Sequence, residues 1–157
     1  MRRALLDSAY ILGLEDRTDP LHVDALAVRD CLRRNGYLMT GREQVVPDLV
    51  LLETTQELLH RKGFSAARDV RRRVLAEHTV ARTSFRDVEV AFDEICSKFG
   101  HSVLGGRGLG LVDAVSVLVM RREKVGWILS PDHGFDPVPA LRRIWTHNVE
   151  ETCLSVR

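Results

Sequence analysis

Four acidic residues stand in places that surface charge explains poorly. Asp7 closes the apolar run Ala4-Leu5-Leu6, and Asp132 follows the run Val125 to Ser130 after one proline. Asp113 interrupts the apolar stretch Leu111 to Met120, and Glu53 follows Leu49-Val50-Leu51-Leu52. A carboxylate among apolar neighbours is costly unless something neutralises it. Carboxylates that share a pocket repel one another and resist full ionisation unless a cation is present. Mg2+ or Mn2+ suits such a cluster, because these ions are hard, seek oxygen, and keep waters while held by one or two carboxylates. Taken singly, each acid has a plainer use. Asp7 could start a turn, Asp113 and Glu53 could favour helix N-termini, and Asp132 could make an Asx-turn. Sequence pattern alone does not bring the four together.

The elements that must position them follow from local signals. Ala4-Leu5-Leu6 reads as a buried strand with a polar C-terminal end, and Ser8 as the N-cap of a segment Ala9 to Leu14. Thr18-Asp19-Pro20 starts a helix on which Val23, Leu26, Ala27, Cys31 and Arg34 recur at helical spacing, ending at Asn35-Gly36. Tyr37 to Thr40 reads as a second short strand, with Gly41 to Val46 as connection. Pro47-Asp48 opens a helix that Gly63 ends, and Ser65 caps the next, through Val70, Val74 and Leu75. Val80 to Thr83 reads as a third strand. Phe85, Val88, Phe92, Ile95 and Phe99 mark an amphipathic helix ended by Gly100. The valines of Leu111 to Met120 favour a strand. Its polar residues Asp113 and Ser116, however, share a face only in a helix, and Arg121-Arg122 complement a helix C-terminus. The segment reads as helix. Val125 to Ser130 reads as a strand and Pro131 to Pro137 as a turn-rich loop, and the tail from Val138 gives no clear signal.

Strands alternating with helices predict an α/β fold around a mainly parallel sheet. Ligands of such sheets bind outside the carboxyl ends of strands. Asp7 and Asp132 are therefore expected on one edge.

A length of 157 residues suits one ordinary domain. A hydrophobic share of 45% with 29% charged residues excludes a disordered chain, and a net charge of +1 neither attracts nor repels nucleic acid overall. Lys62, Lys98 and Lys124 are the only lysines, so the basic side is nearly all arginine, whose planar fork suits phosphate. Coding bias is the plainer account of that excess. Cys31, Cys96 and Cys153 are odd in number and form no C-x-x-C pair, which argues against a disulfide framework or zinc ribbon and fits a reducing cytoplasm. The N-terminus meets Asp7 too soon for a signal peptide, and no apolar run is long enough to span a membrane.

The segments Leu5-Leu6-Asp7-Ser8-Ala9, Leu51-Leu52-Glu53-Thr54, Leu111-Val112-Asp113-Ala114 and Ile128 to Phe135 resemble the signature segments of PIN-domain ribonucleases, in order and at roughly the family's spacing. Among these, the VapC-type toxins of toxin–antitoxin pairs are most similar. The resemblance spans Arg2 to Phe135. It implies a three-layer α/β/α sandwich with a central mainly parallel sheet, over a single nuclease domain 1–157. It implies Mg2+ or Mn2+ and endonucleolytic cleavage of RNA in the cytoplasm. It implies a homodimer, no membrane, and, for the toxin of a type II pair, a small antitoxin whose C-terminal segment enters the active-site groove. Carried over, Asp7, Glu53, Asp113 and Asp132 form the catalytic quartet. Asp7 and Asp113 are direct metal ligands, Asp132 completes the metal shell or holds a second ion, and Glu53 orients the attacking water, whose pKa the metal lowers, or acts through a metal-bound water. Ser8 and Ser130 are supporting hydroxyls, and Asp136 is a fifth acid that replaces or assists Asp132. Two rival readings stand beside this one: a PIN-like module that binds RNA or protein without cutting, and a housekeeping RNA-processing nuclease.

Other features carry less. Arg68, Arg71 and Arg72 share a helical face and read as a solvated surface before an RNA track. Trp127 reads as core, and His133 as an exposed loop residue. His22, His60, His78, His101 and His147 lack ligand spacing. Gly105 to Gly110 fits neither the dinucleotide fingerprint nor a phosphate loop and reads as a flexible rim. An aspartate-nucleophile phosphatase would want an acid at Ala9, and a receiver domain would want paired acids at the first strand and a late lysine.

Overall fold

The computed structural model describes residues 3–100 and 108–154. The segments β1 (Ala4–Leu6), β2 (Gln44–Pro47), β3 (Thr79–Ala81), β4 (Trp127–Leu129) and β5 (Arg142–Ile144) form one sheet in the order β3-β2-β1-β4-β5. Every pairing is parallel. The chain winds outward from β1 through β2 to β3, then returns to the other side of β1 for β4 and β5. Strand order thus reverses between β1 and β4, which is where an open parallel sheet leaves a crevice at its carboxyl edge.

Crossovers between parallel strands need helices, and here these are α1 (Ser8–Glu15), α2 (His22–Arg34), α3 (Asp48–Lys62), α4 (Phe64–Glu77), α5 (Phe85–Val90), α6 (Ser97–Phe99) and α7 (Leu111–Glu123), with α8 (Val149–Leu154) following β5. Strand side chains alternate between two faces. Ala4, Leu6, Val46, Trp127, Leu129 and Ile144 pack with residues of α1, α2, α3, α4 and α8. Leu5, Val45, Ala81 and Ile128 pack on the other face with α7, Ala91 and Ile95. The result is three layers, as expected. Among the described residues, no helix is long and apolar enough to cross a membrane.

The strands at Ala4 and Trp127, the helix at Leu111 and the Gly63 stop stand where the sequence placed them. Four local readings do not. Tyr37 to Thr40 is not a strand; Leu38 takes a left-handed φ of 51° that breaks an extended path. The second strand instead lies within the supposed connection, at Gln44–Pro47. The first helix is capped one residue early, by Asp7 rather than Ser8. Ser65 caps nothing, because α4 starts at Phe64 directly from Gly63, whose φ of 83° lets one residue end α3 and begin α4. Finally, Phe85 and Phe92 face solvent. A π-helical turn at Ala91–Cys96 follows α5, and the stripe packed on the core runs Val88, Ala91, Ile95 and Phe99. Trp127 is buried, as expected, while the exposed Arg68, Arg71 and Arg72 line the solvated face of α4.

Candidate active site

Asp7 sits where β1 passes into α1, with extended backbone at the helix N-cap. Its Oδ1 accepts from the Ser8 main-chain N–H at 2.7 Å, and its Oδ2 accepts from the Ser130 hydroxyl at 2.6 Å. Strand register causes the second contact. Leu6 pairs with Leu129, so the residues just beyond, Asp7 and Ser130, come side by side. The Asp7 N–H extends the ladder to the Leu129 carbonyl at 3.2 Å. Ser130 is fully buried, and its Oγ also accepts from the Asp132 N–H at 3.0 Å. Asp132 then caps the short 3-10 turn His133–Phe135, its Oδ1 accepting from the Gly134 N–H at 2.7 Å. One hydroxyl therefore ties two of the four acids together.

The other two arrive from helices. Asp113 is the third residue of α7, where its Oδ2 accepts from the Gly110 N–H at 3.0 Å. Glu53 projects from α3 and is exposed, as is Asp132. Burial pushes the Asp7 carboxyl up to about 6, against its bonds to Ser130 and Ser8, and the charges of Glu53 and Asp132 push it further the same way. Burial likewise raises Asp113, to about 7, with Asp7 the largest neighbouring charge and with Asp132 and Glu53 adding to it. Buried Asp7 and half-buried Asp113 thus each feel both exposed acids, which places the four in one electrostatic cluster. Among the described residues, no group of three or more His, Cys, Asp or Glu side chains forms a ready-made metal shell. Two acids whose carboxyls are pushed up to about 6 and about 7, beside two exposed acids, nonetheless match the donor chemistry and the charge demand of a hard divalent cation.

The remaining residues sort clearly. Ser8 gives the site its main-chain N–H. Asp136 pairs instead with Arg143, which holds its carboxyl below the usual carboxylate range. Residues 101–107 lie outside the described part, so of the glycine-rich stretch Gly105 to Gly110 only its last three residues are placed. Gly110 adopts an extended conformation at the start of α7 and serves Asp113. Sequence reasoning missed Arg143 altogether. It lies in the unread tail, and no spacing signal marks a buried arginine there.

No family model matches the chain, and no curated protein is a significant sequence match to it. Solved structures do resemble it. VapC20 of Mycobacterium tuberculosis, described as a sarcin–ricin loop cleaving toxin, superposes with a TM-score of 0.69 at 19% identity, covering 90% of this chain and 98% of that one. A toxin–antitoxin complex from Klebsiella pneumoniae gives 0.62 at 11% identity, over 88% of this chain and 95% of the other. PAE2754 from Pyrobaculum aerophilum gives 0.57 at 15% identity, over 99% and 95%. At these identities the likeness is one of fold, and the fold is that of a VapC-like PIN domain.

Proposed function

We propose that this chain is a divalent-metal-dependent endoribonuclease and the toxin of a type II toxin–antitoxin pair, with residues 1–157 acting as one nuclease domain in the cytoplasm. The observation that carries the reading is the cluster of Asp7, Glu53, Asp113 and Asp132 at the sheet's switch point in a VapC-like fold, with the carboxyls of Asp7 and Asp113 pushed up to about 6 and about 7. Asp7, Asp113 and Asp132 would hold Mg2+ or Mn2+. When bound, that ion supplies activation of water and neutralisation of the scissile phosphate. The protein's own groups set the geometry. The α1 N-cap and Ser130 fix both oxygens of Asp7, so this ligand needs no reorganisation. The Gly110 N–H fixes one oxygen of Asp113 and leaves the other for the ion. Exposed Glu53 orients the attacking water and takes its proton. Asp132 rather than Asp136 is the fourth acid, because Asp136 is committed to Arg143.

An antitoxin partner is supported by the Klebsiella pneumoniae complex among the similar folds. The homodimer and the RNA substrate rest on the family resemblance. Incubating the protein with structured RNA and Mg2+ tests the reading. The expected result is endonucleolytic cleavage that EDTA stops and that Asp7→Asn abolishes. Cleavage that survives either change overturns the mechanism. For the partner, co-expression with the product of a neighbouring short reading frame should give a complex that no longer cuts.

A further inference from the structure

Arg143 lies on the edge strand β5, yet its side chain is almost wholly buried. A buried guanidinium needs partners for its donors, and here all but His147 lie on one turn. Nε and Nη2 donate to the two oxygens of Asp136, at 2.7 and 3.1 Å, as a bidentate fork. Nη1 donates to the Ser130 carbonyl at 3.4 Å. Nη2 also lies 2.9 Å from His133 Nδ1, itself 2.9 Å from Asp136 Oδ2, and 3.5 Å from His147 Nε2. One side chain therefore grips Ser130, His133 and Asp136, the start, middle and end of the turn that presents Asp132.

We infer that Arg143 is a positioning residue for the carboxylate site, cross-linking both ends of the 130–136 turn, with Asp136 as its counter-ion and not a metal ligand. The inference rests on the nuclease reading above. Ser130 transmits the effect. Its carbonyl is held by Arg143, while its hydroxyl bonds Asp7 and receives the Asp132 N–H. Releasing the turn frees Asp132 and loosens the hydroxyl on Asp7. The fork is what the task requires, since lysine's single ammonium cannot hold both Asp136 oxygens and a carbonyl in one plane.

The test uses Arg143→Met, Arg143→Lys, Asp136→Asn and the double variant Arg143→Met/Asp136→Asn, each first checked for folding by circular dichroism. Below the melting transition, Arg143→Met is expected to weaken Mn2+ binding by on the order of tenfold and to lower kcat while KM for RNA holds. Arg143→Lys should fail to rescue, and it carries the test if the methionine variant does not fold. Asp136→Asn should weaken Mn2+ in the wild-type background and add nothing to Arg143→Met. Without metal, amide hydrogen exchange at Asp132 and Gly134 should quicken in Arg143→Met. A purely structural arginine would lower the melting temperature and leave affinity, kcat and exchange unmoved, and that result overturns the inference. So does an Asp136→Asn effect that persists in full on the Arg143→Met background, because Asp136 would then act on the ion itself. If the wild type binds Mn2+ but cuts no RNA, the nuclease reading fails, while the affinity and exchange measurements still decide the role of Arg143.

Discussion

Ser130 donates its hydroxyl hydrogen to Asp7 at 2.6 Å, across 123 residues of sequence. The bond exists because β1 and β4 are parallel neighbours with Leu6 opposite Leu129, so both chains leave the sheet at one level. The carboxyl edge of the sheet thus sets the distance between the first acid of the site and the strand that leads to the last. The same Oγ accepts from the Asp132 N–H, and a single buried hydroxyl carries position from one strand end to the next.

Replacing Ser130 with alanine should therefore harm catalysis more than folding. The variant leaves Asp7 Oδ2 and the Asp132 N–H without their partner, a stability loss of about 1–3 kcal/mol. Cleavage should fall by roughly 10–100-fold, the usual cost of removing a group that orients a metal ligand. Single-turnover cleavage beside a thermal melt measures both. A variant that cuts RNA at the wild-type rate would show that the hydroxyl does not position Asp7.

Stability should depend on pH with a sign opposite to that of ordinary ion-paired acids. Asp7 and Asp113 titrate near 3.8 when unfolded but near about 6 and about 7 when folded. Between those limits the folded state binds more protons than the unfolded one, so their contribution is fully present below 3.8 and is lost as pH rises through the folded values. In metal-free buffer, Asp113→Asn should thus be more stable than the wild type at pH 8, and its advantage should vanish at pH 4. Each pKa unit is worth about 1.4 kcal/mol. Water at this part-open site screens the effect, which keeps the gain to a few kcal/mol at most. Urea melts of both proteins across that range provide the check, and a difference that does not change with pH would refute it.

The parts of this arrangement that could be read in sequence are those whose signals are local. Asp113 and Ser116 could be placed on a helix by their three-residue spacing, and Ala4-Leu5-Leu6 by its apolar run. β2 was hidden because Tyr37 to Thr40 looks strand-like, while the positive φ of Gly36 and of Leu38 breaks an extended path there. Phe85 and Phe92 fit a helical stripe with Val88, Ile95 and Phe99, but the core takes Ala91 in their place and leaves both phenylalanines in solvent. Meeting of the four acids was suggested by motif resemblance, since strand register, which brings Asp7 to Ser130, has no signature in spacing. Arg143 could not be read at all. A charged residue in a strand next to Ile144 is legible only once its partners Asp136 and Ser130 are known.

Gly41 gives a test of the fold that leaves the site alone. It lies in a 3-10 turn before β2 and packs on the last turn of α4. A Cβ added there would fall 1.5 Å from the Glu77 carbonyl oxygen and 2.5 Å from its carbon. Both are backbone atoms that no rotamer change can move. Gly41→Ala should cost more than about 2 kcal/mol. A thermal melt reads the cost, and kcat below the transition should stay near wild type. An unshifted melting temperature would mean that the turn does not pack on α4 as described.

Divalent cations should reverse the pH effect, and this links the stability of the site to its use. An ion held by Asp7, Asp113 and Asp132 competes with the protons on the first two, so binding releases protons and strengthens as pH rises. Any ligand that binds only the folded state raises stability with its concentration. Millimolar Mn2+ should therefore raise the melting temperature by several degrees at pH 8 and by little at pH 5, where Asp7 and Asp113 hold protons. EDTA should cancel the shift. Asp113→Asn should lose most of it, although that variant starts from the more stable metal-free state. A thermal shift of equal size at both pH values, or one retained in full by Asp113→Asn, would place the cation elsewhere and remove the role assigned to the four carboxylates.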